Sequence, residues 1–408
     1  MSIRLPTIAT PSITPRAASF ARLCSLNAGI QLVWGAVLGV SLQARTLALV
    51  PHADAIARYS VLAAIGALVA AIVQLVAGRS SDLERARRGD RTRYYLLGIG
   101  LAVPSLLGFF FTPSFVTFAI AFIALQCTIN IASGPYQAII PDYVAVPRRG
   151  AASAWMSAFQ SLGNAIGLLV AGLVNDLRVV AAALVVPLVT TMAVVLRETR
   201  TLARVDGTDD TSRSSVRSRA LQPLLISRGL VNVGFFALLD YLLFFVRDSL
   251  RVGQKDVQMT TAFIFLTFTL SAIVGAILAA KPADRSDKRL VVSIAVGTIV
   301  VALIVLAMAT SLPIAYASAG VAGVAWGAFV TADWALATAV LPPRTMATAM
   351  GVWNIATTIP QVVAPLFIGP LVVHADALTA GSGPRIAIVA ACVAFALGGA
   401  AVWRVPRV

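Results

Sequence analysis

Two aspartates, Asp240 and Asp333, stand inside long apolar stretches, whereas the other acids of the chain fall between such stretches or at their edges. A carboxylate drawn out of water resists ionisation unless a partner holds its charge, so each can carry a proton. Both are candidates for proton coupling, Asp333 first. Uncharged polar groups recur around them at helical spacing. The first apolar stretch carries Asn27, Gln31, Trp34, Ser41 and Arg45, and a later one Gln126, Asn130, Ser133 and Gln137, each set on one helix face. Further stretches carry Ser153, Ser157, Gln160 and Asn164; Asn232 with Asp240; Trp326 with Asp333; and Asn354, Thr358 and Gln361. An amide buried in hydrocarbon without a partner costs several kcal/mol, roughly 2–7, so these groups face other helices or a wet cavity.

Amides donate and accept hydrogen bonds, and an indole covers the apolar face of a sugar ring. Gln31, Trp34, Gln126, Asn130, Gln137, Asn232, Trp326, Asn354 and Gln361 are therefore expected to line a site for a small, neutral, hydroxyl-rich solute. A tight phosphate or dicarboxylate site would want an arginine at mid-depth. None is expected there, Arg228 being assigned to the inner end of its stretch. The alternative use of the amides is to join helix to helix.

Other chemistries find no support. Cys24, Cys127 and Cys392 sit singly in apolar stretches without metal-ligand spacing, and His52 and His374 fall in loops. No Ser/His/Asp set, Cys/His pair or phosphate loop is present at one depth, so the chain is not expected to be an enzyme, nor to hold a metal or cofactor. The net charge of +15 suggests nucleic acid until its distribution is followed.

The elements that position these groups follow from composition. Apolar residues make up 59% of the 408 and charged ones 12%, too apolar for a soluble fold and suited to a lipid bilayer. Twelve spans are predicted: 22–44, 60–78, 94–111, 115–140, 151–174 and 179–196, then 224–246, 257–280, 290–309, 313–341, 346–373 and 386–403. With the N-terminus inside, only Arg45, Arg58, Arg178, Arg247, Arg251, Lys255 and Arg385 of the 32 basic residues fall outside. That bias predicts a multi-pass protein of the inner (plasma) membrane with both termini cytoplasmic. The prediction is an all-α membrane protein: a cytoplasmic tail 1–21, a six-helix half 22–196, a flexible linker 197–223, a second half 224–404 and a tail 405–408.

The halves resemble each other. Gly78-Arg-Ser-Ser-Asp82 follows the second span and Ala280-Lys-Pro-Ala-Asp284-Arg285 the eighth; Arg149 and Arg344 precede the fifth and eleventh spans, each with a hydroxyl residue four positions on. On these motifs the chain resembles the major facilitator superfamily, whose second-to-third loop has the form Gly-x-x-x-Asp-Arg/Lys-x-Gly-Arg-Arg. Leu83 departs from the basic position, and Ala280 and Asp287 replace glycines of the second copy. The resemblance implies two pseudo-symmetric halves in alternating access, spans one, four, seven and ten lining the path, and loop acids that close the cytoplasmic side. Asp82, Asp142, Asp284, Arg149, Arg285 and Arg344 are the expected gating residues there, with Asp82 and Asp284 set against the starts of spans eleven and five. An ion pair between Arg45 and Asp240 is expected to close the outer side.

The stretch Gln31 to Arg45, and Gly134-Pro-Tyr-Gln137 with Pro141, Asp142 and Arg149 to Trp155, look like the sucrose-transporter-like and glycoside–pentoside–hexuronide symporter branch. That implies a carrier of sugars or glycosides moved with a cation, and a monomer is expected. Span two has Gln74 and no acid, which favours protons over sodium. The rivals are a proton-driven exporter of drugs or metabolites, disfavoured because span five has Gly163 and Gly167 but no proline, and a transport-inactive receptor.

Overall fold

The structure, a computed structural model, describes residues 19–51, 54–88, 90–144, 148–202, 221–340 and 356–407. The first half comprises α1 (Phe20–Ala36), α2 (Leu42–Leu49), α3 (Ala55–Arg88), α4 (Thr92–Phe111), α5 (Phe115–Tyr136), α6 (Ile139–Tyr143), α7 (Arg149–Leu173) and α8 (Leu177–Thr201). The second comprises α9 (Leu221–Phe244), α10 (Val257–Arg285), α11 (Lys288–Met308), α12 (Leu312–Val340), α13 (Ala356–Leu378) and α14 (Gly383–Ala401). Among the described residues, eleven helices are long and apolar enough to cross a membrane, and α7 supplies the shorter apolar helix Ala158–Leu173. These match the predicted spans in order. The fourth ends earlier than expected, at Tyr136, before a break and short α6. Pro135 near its end has no backbone N–H to continue the ladder.

Helix contacts repeat between the halves. Span one packs on span six as α1 on α8 and, in the second half, α9 on α14. Span two packs on four as α3 on α5 and α10 on α12, and span three on four as α4 on α5 and α11 on α12. The contacts between the halves repeat too: α7 packs on α10, and α3 on α13. The same six-helix plan, used twice, is the major facilitator fold.

Small residues allow the close crossings. A Cβ on Gly163 of α7 would come within 2.6 Å of the Ala28 carbonyl on α1, and one on Gly323 of α12 within 2.9 Å of the Phe268 carbonyl carbon on α10. In lipid, where hydrophobicity gives little drive between helices, such contact is the main source of association. Val61, Ile65, Leu75, Ile277 and Val301 stay exposed on the outer helix faces, as lipid-facing residues do.

Among the described residues, three helices widen into π turns, at Val37–Ser41 after α1, Phe245–Ser249 after α9 and Ala364–Ile368 within α13. With an even number of crossings both chain ends come to one face, the terminal face. All three π turns lie toward the opposite, far face.

Candidate functional site

The two halves are latched at the far face. Tyr59 on α3 donates its hydroxyl to Asp240 Oδ1 on α9 at 3.0 Å. Gln43 on α2 donates Nε2 toward the Leu239 and Asp240 carbonyls, both at 3.2 Å, and toward Tyr59 Oη at 3.3 Å. Ser60 Oγ and Tyr241 Oη share a hydrogen bond of 2.8 Å. Gln43, Tyr59, Ser60 and Tyr241 are all buried, and the Tyr59 ring meets Phe244 edge-on at 5.4 Å. Among the described residues, every hydrogen bond between the halves belongs to this latch.

Arg45 is not its partner. Its Nη2 donates instead to the Thr112 carbonyl at 2.8 Å, so the expected Arg45–Asp240 pair is absent. Three residues further along the chain than Ser41's neighbour Leu42, Arg45 turns toward the α4–α5 connection, while Gln43 takes the place beside Asp240. Gln43, Tyr59, Ser60 and Tyr241 were missed from sequence. Each lies near a span end, where a polar residue reads as an interfacial anchor.

At the terminal face the described ion pairs stay within one half. Asp142, at the end of α6, accepts from Arg85 Nη1 at 2.7 Å and from Arg91 Nε at 2.9 Å. Arg91 also reaches Asp82 at 2.6 Å and Ser81 Oγ at 2.5 Å. Burial pulls the Arg91 guanidinium down, but the charges and hydrogen bonds of Asp142 and Asp82 outweigh it and hold it above the ordinary arginine value. Asp82 was expected against span eleven; here its described partner is Arg91 of its own half. In the second half Asp287 caps α11, pairs with Arg289 at 2.9 Å and meets Arg407 at 3.3 Å. The Arg289 hydrogen bond holds the Asp287 carboxyl below the usual range. Arg344 and Asn354 lie outside the described residues, and Arg149, Asp284 and Arg285 are described only as helical positions.

The polar stripes divide. Gln31 on α1 accepts from Asn164 Nδ2 on α7 at 3.1 Å, joining spans one and five. Trp34 and Gln361 are half-buried on α1 and α13. Asn130 is buried and donates to the Gln126 carbonyl at 2.8 Å, and Gln126 Nε2 lies beside Gly66 of α3, so this pair serves the α3–α5 contact. Gln137 is exposed beyond the end of α5. Trp326 stacks on Phe235 with centroids 4.5 Å apart and meets Phe395 edge-on. Phe235 already covers one face of the indole, the kind of surface expected to receive a sugar ring.

Asp333 is ion-paired with Arg228 of α9, whose Nε and Nη2 also reach Thr357 Oγ1 at 3.3 and 3.2 Å. Asn232 donates to the Arg228 carbonyl at 2.8 Å. Arg228 thus lies inside the bundle, not at a wet helix end. An apolar crevice between α9, α10, α11 and α12, lined by Phe235, Phe265, Phe268 and Leu306, lies further along α9 toward the far face and does not coincide with the polar stripes.

The Major Facilitator Superfamily model matches residues 25–365, and the chain belongs to that family. By sequence no curated protein matches it. Among solved structures it is similar to a POT family peptide transporter (12% identity, 95% of this chain and 97% of that one, TM-score 0.75). It is similar as well to a D-xylose–proton symporter (14%, 95% and 97%, 0.72). A bacterial homolog of the human lysosomal transporter Spinster, inward-facing and occupied, also aligns (16%, 94% of each chain, 0.71). At such identities these establish the fold, that of a membrane transporter, and no substrate.

Proposed function

We propose that the chain is a proton-coupled symporter carrying a small hydroxyl-rich solute, a sugar or glycoside, by alternating access. The halves 22–196 and 224–404 rock about a central site, joined by the linker 197–223, with the terminal face cytoplasmic in an inner (plasma) membrane. The charge bias of the loops supports that orientation, and the branch motifs support the solute class.

The observation that carries the proton reading is Asp240. It sits in the latch with a tyrosine hydroxyl on its carboxylate and, among the described residues, no cation beside it. A hydrogen bond to a charged group is worth about 1.5–3 kcal/mol. The effective penalty for burying an uncompensated ion is several kcal/mol and outweighs that bond. A proton on Asp240 removes the penalty, so the protonated latch closes and the ionised one opens to outside water. Protons from outside then load the carrier and permit its closure, which couples their gradient to transport.

The test is proton movement into energy-depleted cells or proteoliposomes on addition of sucrose, maltose and other neutral glycosides in turn. External alkalinisation with one sugar is expected, and Asp240→Asn abolishes it while solute exchange across the membrane persists. Proton-driven uptake surviving in Asp240→Asn sinks the assignment of Asp240. Silence to every sugar, with folded protein in the membrane, points to an exporter instead.

A further inference from the structure

The gate leaves the Arg228–Asp333 pair unused. Arg228 is eighth in α9, about 10 Å from the helix start at 1.5 Å per residue. Asp333 on α12 is matched to it in depth by their contact. The partners differ in access: the Arg228 side chain keeps 12% of its surface exposed and Asp333 only 3%. The guanidinium is the end a solute can meet, with the carboxylate behind it. The Thr357 hydroxyl lies on the Nε/Nη2 edge, the edge whose two parallel N–H groups match a carboxylate.

We infer that Arg228 is an anion-recognition residue of the transport site, and that the solute carries a carboxylate. The inference rests on the proton-symport reading and replaces its neutral solute with a hydroxylated acid. The expectation of neutrality assumed no arginine within the bundle, and Arg228 removes that premise.

The chemistry follows from charge balance. Ionised Asp333 and Arg228 are neutral together. A solute carboxylate arriving on the Nε/Nη2 edge places two carboxylates on one guanidinium, and like charges so close favour protonation of one. Asp333, the more deeply buried, takes the proton; the solute carboxylate stays ionised on Arg228. At this site one proton, on Asp333, enters with one carboxylate, separate from the proton on Asp240 that closes the latch, and the Arg228–Asp333 site remains neutral throughout. A neutral solute gives no such exchange: protonating Asp333 beside it would leave a buried guanidinium uncompensated, a strongly unfavourable state.

The experiment uses the full-length protein in lipid nanodiscs. Acetate, D-gluconate and D-glucuronate are compared with D-glucose and sorbitol at pH 5.5 and 7.5. Binding is followed by the shift in Tm, and proton uptake by a dye in weakly buffered solution. At least one acid is expected to bind the wild type tenfold or more tightly at pH 5.5 than at 7.5, taking up about one proton per site. Asp333→Asn should bind that acid equally at both pH values with no proton uptake. The double variant Arg228→Gln/Asp333→Asn, which leaves no bare charge, should lose acid binding altogether. Failure of every acid to stabilise the wild type or Asp333→Asn overturns the inference. So does acid binding that persists in the double variant. Stabilisation by a neutral sugar alone, unchanged in the double variant, overturns it too and leaves the sugar-symport reading standing.

Discussion

The two faces of the molecule are held by different chemistry. The far-face latch uses a tyrosine pair, a serine, a glutamine and one carboxylate, and it ties one half to the other. The terminal face uses arginines on aspartates, and among the described residues each such pair stays inside a half. A gate must break and reform in every cycle, which suits hydrogen bonds of about 1 kcal/mol each. A half must stay folded while the gate moves, which suits a buried ion pair whose loss is severe. The latch joins the halves at the far face, whereas the described ion pairs of the terminal face each brace a single half.

The contrast can be broken first at Arg91. Arg91→Ala leaves Asp142, itself only 4% exposed, with Arg85 alone. We expect it to lower stability by about 1.5–3 kcal/mol, the scale for losing a hydrogen bond to a charged group while Arg85 still pairs with Asp142, read as thermal unfolding in detergent. Arg93→Ala, which removes an exposed partner of Glu84, should change little. Equal effects from the two would deny that the Asp142 cluster holds the half together.

The latch should respond oppositely. Tyr59→Phe keeps the ring packing and removes its hydrogen bond to the protonated Asp240, shifting the balance toward far-face opening by about 0.5–1.5 kcal/mol. Distances between spin labels at the far ends of α3 and α13 should lengthen while unfolding barely moves. Ser60→Ala should produce the same change at about 1 kcal/mol. Unaltered distances in both variants would mean that these bonds do not set the gate.

The smallest effect is expected at Asp287. Its carboxyl is held below the usual range, first by the Arg289 hydrogen bond, so any stability it adds is present above the ordinary aspartate range and is lost as pH falls through its lowered value. Arg289→Ala should differ slightly from wild type at pH 7 and not at all in strong acid. A difference that persists in acid would point to the stacking of Arg289 over Trp403 as the real contribution.

The spans were legible because burial in lipid demands about twenty apolar residues at a time, and the gaps between them carry the charges. The repeat was legible in Gly78 to Asp82 and its partner near Asp284, and the structure echoes it in helix contacts. The partners of individual side chains were not. Trp326 has the composition of a sugar platform, and Phe235 on another helix occupies one of its faces. Arg45 and Gln43 are two residues apart, and a π turn before them decides which one meets Asp240.

By itself the sequence determined an all-α membrane protein with duplicated halves and two acids within the membrane, because hydrophobic length and charge placement act locally along the chain. Only the tertiary structure decided that one acid faces a tyrosine and the other an arginine, because pairing depends on which helices pack together and at what depth. Asp240 and Asp333 look alike in the chain; their neighbours from distant spans make one part of a hydrogen-bonded latch between the halves and the other part of a buried ion pair.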